Sequence, residues 1–335
     1  ASTLHRHIPA SSMLCLTLSA ANGSRSSHES RSDAAVLPRA WHAITVLLSR
    51  NESCAPSWSD GTQVVLALVQ QLAGSSRPPR LLMLTSGTQA PVANASLSAS
   101  DAAHSDVWGF ARVIRLEHPA LGALTVDVTR GAALEAWTRQ LIAAALPQAS
   151  TDEAELACCP ERRAARLRVV AAAQRCRVSQ SGVFAITGGL GGLGMRAATL
   201  LVERGATSVL LASRSGRVSR GDHGQEARQQ CLVVGAEAVT CDSSELADLL
   251  ALAWSGCPLT GVLHASGAGD KGLLFELVAY RMRWMYAPKA SGAWYLHVTT
   301  PRAPLEANVL FSSVGSGLGN VGQGNYAAGN ASLDG

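Results

Sequence analysis

The sequence predicts an α/β protein, its second half a doubly wound parallel sheet, and three observations carry that expectation. Short apolar runs alternate with helical stretches along most of the 335 residues, a glycine-dense turn separates one such run from the next helix, and apolar residues make up 47% of the chain against 16% charged. Strand periods alternating with helix periods are the pattern of helices packed on a parallel sheet. A charged share well below the usual quarter excludes disordered, polyelectrolyte and coiled-coil chains. The length is about twice that of an ordinary domain, which predicts two cores, residues 1–175 and 176–335.

Arg6 and His7 followed by the apolar run Met13 to Ala21 superficially imitate a secretory signal, and the run reads equally well as a buried strand leading into the Ser/Gly-rich stretch Asn22 to Ser32. The first half continues through Val64 to Leu72, Leu81 to Thr85, a helix around Val107 to Leu116, and Ala123 to Val128, an α/β alternation without a glycine turn. Between Gln148 and Arg177 lie acidic residues, the Cys158-Cys159-Pro160 turn and an arginine group from Arg162 to Arg168, the seam between the halves and a solvated edge strand. The second half predicts strands at Gly182 to Thr187, Thr207 to Ser213, Ala236 to Thr240, Leu259 to His264 and Asn308 to Ser312. Helices are expected at Leu193 to Arg204, Leu246 to Trp254 and Leu273 to Met285.

Basic residues number 28 and acidic 24, a net charge of +4 spread without the stripe that a phosphate backbone requires, so nucleic acid is set aside. Only Lys271 and Lys289 are lysines. The eight cysteines (15, 54, 158, 159, 176, 231, 241 and 257) are scattered without zinc-like or redox-like spacing. Reduced, buried thiols in a reducing, cytoplasmic setting and no metal are the expectation. No run reaches the ~18 apolar residues of a membrane span. An alanine at position 1 and abrupt ends point to a piece of something longer.

The chemistry begins at Thr187-Gly188-Gly189-Leu190-Gly191-Gly192-Leu193-Gly194, directly after a predicted strand and opening a helix. Such glycines allow a tight turn and let N–H groups at a helix N-terminus approach a pyrophosphate, so a dinucleotide and a Rossmann-like half follow. Where NAD would call for an acidic residue at the end of the second strand, this chain has Ala212-Ser213-Arg214-Ser215; an arginine and two hydroxyls suit a 2′-phosphate, hence NADPH. Asp242, just past the third strand, is placed to accept from an adenine amine or to cap the helix near Ser243. Tyr326 and Asn330 are four apart and share a helix face. A carbonyl reduction needs a proton donor for the developing alkoxide; a tyrosine serves if a cation lowers its pKa, and Lys289 is available. Ser313, at a strand end, can hydrogen-bond the same oxygen. Singly, these residues have plainer roles: a half-buried aromatic, a turn hydroxyl, a solvated helix end.

From Gly182 onward the sequence resembles the short-chain dehydrogenase/reductase superfamily, and within it the ketoreductase domain of modular type I polyketide synthases. The matching segments are TGGLGGLG at Thr187, LLASRSG at Leu210, HASG at His264, PKASGAWYLH at Pro288 and FSSVGSGLGNVGQGNYAAGNASLD at Phe311. Stand-alone members usually carry lysine four residues after the tyrosine; here Asn330 stands there and Lys289 lies upstream, the ketoreductase arrangement. The resemblance implies Tyr326 as general acid, Ser313 orienting the carbonyl, Lys289 and Asn330 completing the proton relay, and His264, Ala265, Ser266 and Gly267 among the cofactor contacts. It implies hydride transfer from NADPH to the β-carbon of an acyl chain on the phosphopantetheine arm of an acyl carrier protein, with other synthase domains as neighbours. Ser105 to Val128 resembles the degenerate, supporting Rossmann-like half that precedes such catalytic parts.

Two departures stand out. Gly269-Asp270-Lys271 occupies the place of a common Leu-Asp-Asp, and Leu310 that of a tryptophan three before the serine, which leaves product stereochemistry open. The chain stops at Gly335, inside the helix of Tyr326, so the strands and lid that follow in the family are expected to be missing and the sheet edge and acyl pocket open. A non-catalytic ketoreductase-like domain, a fatty-acid-type synthase and a stand-alone dehydrogenase are the alternative readings.

Overall fold

The computed structural model describes residues 13–19, 43–49, 60–89, 104–128, 153–159, 161–164, 181–217, 235–254, 256, 258–300 and 305–335. The chain divides into two compact units, Ala1–Arg166 with Gly335, and Leu167–Asp334.

The first unit is a six-stranded sheet of β1 (Met13–Ser19), β2 (Ala43–Ser49), β3 (Arg80–Ser86), β4 (Leu124–Val128), β5 (Glu155–Cys159) and β6 (Glu161–Arg163), in that spatial order. The first five strands are parallel; β6 turns back antiparallel on β5 and ends the sheet, the edge position expected of the arginine stretch, whose residues 165–168 lie outside the described residues. The run at Met13 is thus a sheet strand, and the stretch 22–32 also lies outside the described residues. All five residues of β4 are buried, the continuous apolar pattern of a strand covered on both faces.

Helix α1 (Asp60–Leu72) buries one stripe, and α2 (Ser105–Glu117) is buried all round from Ser105 to Ala111; Val65 and Val69, then Phe110 and Ile114, are four apart and fully inaccessible. The Thr62 hydroxyl donates to the buried Asp106 carboxylate and joins them. Arg112 clasps Glu155 of β5 through two 2.7 Å bonds, and Arg115 adds a third. Asp127 on β4 is completely buried and accepts from Thr85 Oγ1 at 2.6 Å and from the Thr88 and Gln89 N–H groups at 3.0 Å, while Trp108 Nε1 donates to Thr85 Oγ1 at 3.1 Å. Burial raises the Asp127 carboxyl pKa and these three bonds oppose the rise.

The second unit is a parallel sheet of β7 (Val183–Thr187), β8 (Ser208–Ser213), β9 (Glu237–Thr240), β10 (Leu259–His264) and β11 (Ala307–Leu310), ordered β11-β10-β7-β8-β9. The order reverses between β7 and β10, the doubly wound arrangement with its crevice outside those two strand ends. Alternation sorts the core: Phe184 and Ile186 face one layer with Met195, Ala198, Val209 and Leu211, and Ala185 faces the other with Leu210, Leu249, Leu252, Val262 and Leu296. The outer strands β9 and β11 are mostly exposed, as edges are.

The helices are α3 (Gly192–Glu203), α4 (Leu246–Ala253), α5 (Ala279–Tyr286), α6 (Gly292–Thr299), α7 (Val314–Leu318) and α8 (Gly324–Asp334). Two expectations are corrected. The helix expected over Leu273 to Met285 is a single 3-10 turn, Leu274–Glu276, followed by α5; the Glu276 carboxylate accepts the Leu273 N–H at 3.1 Å and Arg281 donates to the Glu276 carbonyl at 3.3 Å, so the segment is held short of a helix. The last strand ends at Leu310, because Ser313 already caps α7.

Cys158 and Cys241 are buried and not in disulfides, and burial, reinforced by Asp248 and Asp242, pushes Cys241 up to about 11. The side chains of the other six cysteines lie outside the described residues. No helix among the described residues is long and apolar enough to cross a membrane.

Asp127→Ala would strand one hydroxyl and two amide donors in the interior, and a loss of about 3 kcal/mol is expected in denaturant unfolding. Asp127→Asn, which keeps one acceptor oxygen, should lose clearly less; equal losses would mean that these bonds are not what holds the loop after β3.

Candidate active site

In a parallel sheet every C-terminal strand end lies on the same edge, and in the second unit that edge collects the predicted residues. The glycine turn follows β7, Ser213-Arg214-Ser215 ends β8, Asp242 follows β9, Ala265-Ser266-Gly267 follows β10 and Ser313 follows β11.

At the glycine turn the spacing of glycines is set by the neighbouring chain. Gly188 has φ +67° and a Cβ there would stand 2.7 Å from the Ala265 carbonyl oxygen; at Gly194 it would stand 2.6 Å from the Gly188 oxygen. Gly192, by contrast, has nothing within 4 Å of such a Cβ, and Gly191, Gly192 and Leu193 are exposed. The Gly191 N–H is taken by the Gly188 carbonyl at 2.9 Å and the first intrahelical bond of α3 runs from Met195 N–H to the Gly191 carbonyl, so the amides of residues 192–194 have no carbonyl of their own helix to bond at the positive end of its dipole. This cradle fits the pyrophosphate of a dinucleotide. Leu190 instead packs against the core.

Arg214 and Ser215 are exposed, and Arg214 has no partner among the described residues. Ser213 Oγ accepts the Gly216 N–H at 3.1 Å, and Ser215 Oγ donates to the Arg217 carbonyl, so both hydroxyls shape the turn that presents the arginine. Asp242 Oδ1 accepts from the Ser244 N–H at 2.9 Å and the Ser244 hydroxyl at 2.6 Å, a local turn ahead of α4.

Lys289 is 6% exposed and stands in a π-turn, Ala287–Ser291, between α5 and α6. Its Nζ donates to the Phe311 carbonyl at 3.3 Å and lies 5.9 Å from the centre of the Tyr326 ring. Burial pushes it down to about 8, against the opposing pull of the Asp334 charge, so it is still mostly a cation at neutral pH. Tyr326 is half-buried on α8, with Cε1 3.8 Å from where a Cβ on Gly315 would be, and Ser313 Oγ accepts the Gly315 N–H at 3.1 Å. The tyrosine ring and the serine thus meet around one glycine. Asn330 is fully buried; its Nδ2 donates to the Tyr326 carbonyl at 2.8 Å, and its Oδ1 has no hydrogen-bond partner. An orphaned acceptor there fits a relay completed by a ligand or a water.

Two side chains expected to touch a cofactor are turned inward. Thr187 is 1% exposed and His264 fully buried, and they bond each other at 2.7 Å between Thr187 Oγ1 and His264 Nδ1. Both side chains are committed to each other between the strands, which leaves the backbone of these residues at the strand ends. Burial, chiefly, pushes His264 down to about 4.

Sequence reasoning missed a brace beside the tyrosine. Arg281 holds both carboxylate oxygens of Asp270, at 3.0 and 2.6 Å, and Asn325 Nδ2 donates to Asp270 at 2.6 Å. Burial works against it, yet the Arg281 and Asn325 bonds keep the Asp270 carboxyl below its usual value. The one sequence signal was Asp270 itself, within the atypical Gly269-Asp270-Lys271 triplet. Among the described residues no cluster of His, Cys, Asp or Glu could hold a metal ion.

The family model described as KR domain matches residues 182–335. The chain is 44% identical over 161 residues to the spectinabilin polyketide synthase system protein NorB of Streptomyces orinoci, covering 46% of this chain and 7% of that protein. It is 34% identical over 311 residues to polyketide synthase GfsB of Streptomyces halstedii, covering 87% of this chain and 5% of that protein, so it spans a small fraction of these relatives. Among solved structures it is similar to an A-type ketoreductase from a modular polyketide synthase, with TM-score 0.74, 30% identity, 88% of this chain and 63% of that chain covered. It is similar also to the first ketoreductase of the tylosin synthase, with TM-score 0.68, 32% identity, and 87% and 62% covered.

The inward turn of His264 has a pH consequence. Its folded pKa, about 4, lies below the ordinary 6.5, so the unfolded chain binds the extra proton first: the stability it supplies is complete above pH 6.5 and is lost as pH falls toward 4. The loss is on the order of 3 kcal/mol. Unfolding measured at pH 7 and pH 4.5 should show a shallower acid decline in His264→Gln than in wild type, and parallel declines would contradict the assignment.

Proposed function

The chain belongs to the ketoreductase domains of polyketide synthases, and on that premise we propose that it reduces a β-ketoacyl thioester, carried by the phosphopantetheine arm of an acyl carrier protein, to the β-hydroxyacyl thioester with NADPH. The observation that carries the reading is the convergence of Tyr326, Lys289 and Ser313 on the strand-end edge that also bears the glycine turn and Arg214. The neighbouring domains would lie in the same polypeptide, in the cytoplasm, and residues 1–175 would support the catalytic residues 176–335.

Bound at the turn, NADPH supplies a hydride to the β-carbon. As the carbonyl π pair moves onto oxygen, the Tyr326 hydroxyl gives that oxygen its proton, leaving a tyrosinate. The Lys289 cation stabilises this phenolate; its ammonium has two N–H bonds left beyond the one given to the Phe311 carbonyl. Ser313 Oγ already accepts the Gly315 N–H, so its own hydrogen is free to point at the substrate oxygen and hold the carbonyl in line. Asn330 Oδ1, buried and unpartnered, would accept from and so hold a water, whose proton, replaced from solvent, returns to the tyrosinate by way of Lys289. The exposed Arg214 guanidinium is matched to a 2′-phosphate rather than to ribose hydroxyls.

The test is one NADPH-fluorescence trace, before and after a short β-ketoacyl thioester mimic, on wild type and Tyr326→Phe. Wild type should show a rise followed by decay; Tyr326→Phe should show the rise and at least a hundredfold slower decay, since it loses the proton and keeps the ring. Full turnover in that variant would discard the assignment. Arg214→Ala should weaken NADPH at least tenfold more than NADH, on the order of one charge-assisted contact; equal weakening would detach the arginine from the 2′-phosphate.

A further inference from the structure

The helix bearing Lys289 is irregular where Lys289 stands. It runs as α5 to Tyr286, widens through the π-turn Ala287–Ser291 and continues as α6, with Pro288 in the turn and the Gly292 N–H shared between the Ala287 carbonyl five residues back and the Lys289 carbonyl. Pro288 has no N–H to give, and a widened turn leaves carbonyls out of step with helical donors. Two are taken up by groups at the sheet's C-terminal edge. Ser243 Oγ donates to the Pro288 carbonyl at 3.3 Å, and His264 Nε2 lies 3.0 Å from the Lys289 carbonyl.

A carbonyl can only accept, so Nε2 carries the ring's proton. In a neutral ring Nδ1 is then the acceptor, and it takes the Thr187 hydroxyl hydrogen at 2.7 Å. Thr187 is the last residue of β7, directly before the glycine turn. The helix comes this close because position 292 is glycine: a Cβ there would stand 2.9 Å from both His264 Cε1 and the Ser243 carbonyl oxygen. The lysine stem is confined from the other direction, since a Cβ on Gly267 would stand 2.9 Å from Lys289 Cε. The ring therefore adds a second donor to the Lys289 carbonyl beside the Gly292 N–H, and it does so from a strand end.

We propose that His264 is a positioning residue: with the Thr187 hydroxyl on one ring nitrogen and the Lys289 carbonyl on the other, it keys the π-turn to the glycine turn and so fixes where the Lys289 ammonium stands beside Tyr326. The inference rests on the role proposed above for Lys289, and its effect is on geometry, since the ring is fully buried with both nitrogens hydrogen-bonded within the protein. The groups facing the ammonium are the Phe311 carbonyl, the Tyr326 ring and, from α8, the Asp334 charge, none of which a change at position 264 removes.

The chain offers a direct reporter because it has two lysines, exposed Lys271 and buried Lys289. Protein labelled with 13C-lysine gives two Cε signals, and the titration of Lys289 is read without any turnover, beside Lys271 as internal reference. Wild type should titrate near 8. His264→Leu should move that midpoint by about one pH unit or more, and lower kcat for the thioester mimic by about 10- to 100-fold with a smaller change in KM for NADPH. His264→Gln, whose amide nitrogen sits as many bonds from Cβ as Nε2 does, should restore most of both. Gly292→Ala, which drives the helix off an intact ring, should reproduce the lysine shift and keeps the test decisive if His264→Leu does not fold. A folded His264→Leu or Gly292→Ala with an unchanged Lys289 midpoint and unchanged kcat overturns the proposal. A wild type that binds NADPH but never turns over, while the Lys289 midpoint still follows position 264, removes the proposed reaction and leaves the positioning intact.

Discussion

Shortage of room between the ends of β7 and β10 governs the second unit. Gly188 passes so near the Ala265 carbonyl that no side chain fits, and Gly194 is pressed equally hard against the turn it follows. The crossing is possible only without Cβ atoms, and once made it delivers three things to one place. The N-terminus of α3 opens at the strand ends, Gly267 is carried against the lysine stem, and Thr187 is brought against His264. A wider gap would leave the turn, the lysine and the tyrosine as separate surface features. Chemistry at this edge is a by-product of close packing at the point where strand order reverses.

Much of this was legible in the residues, and what was legible shares a property: it depends on neighbours in sequence. The glycine turn declares itself because strand, glycines and helix are contiguous, and Tyr326 and Asn330 because four residues are one helical turn. The hidden features depend on partners far along the chain. Nothing near Leu273 reveals that Arg281 will be drawn to Asp270 and the Glu276 carbonyl, and so hold the segment short of a helix. Nothing in Pro288-Lys289 announces a π-turn, because its stability lies with Ser243 and His264, 45 and 25 residues away. Thr187 and His264 sit inside recognisable motifs, which made a ligand contact the natural expectation. Position in a motif fixes the backbone path, whereas the direction of a side chain is decided by what lies across the gap.

The first unit answers a different demand with similar parts. Its strands follow one another in chain order, so among the described strands the sheet has no point of reversal and no crevice of the kind that β7 and β10 form. Its buried carboxylates among the described residues, and the half-buried Glu155, are satisfied from within: Asp127 by a hydroxyl and two amides, Asp106 by Thr62, Glu155 by two arginines. These networks tie loops and helices to strand ends, the positions that in the second unit are left open.

That contrast bears on how freely each half can drift. In the first sheet a strand-end substitution answers to stability alone, and any neighbour that restores a lost bond restores the protein. At positions 187, 188, 264 and 267 one residue serves a turn and a lysine together, so a change that suits one partner is judged again by the other. Neutral variation should therefore be scarce there and arrive in pairs, a constraint that comes from packing alone and holds even where no side chain meets a substrate.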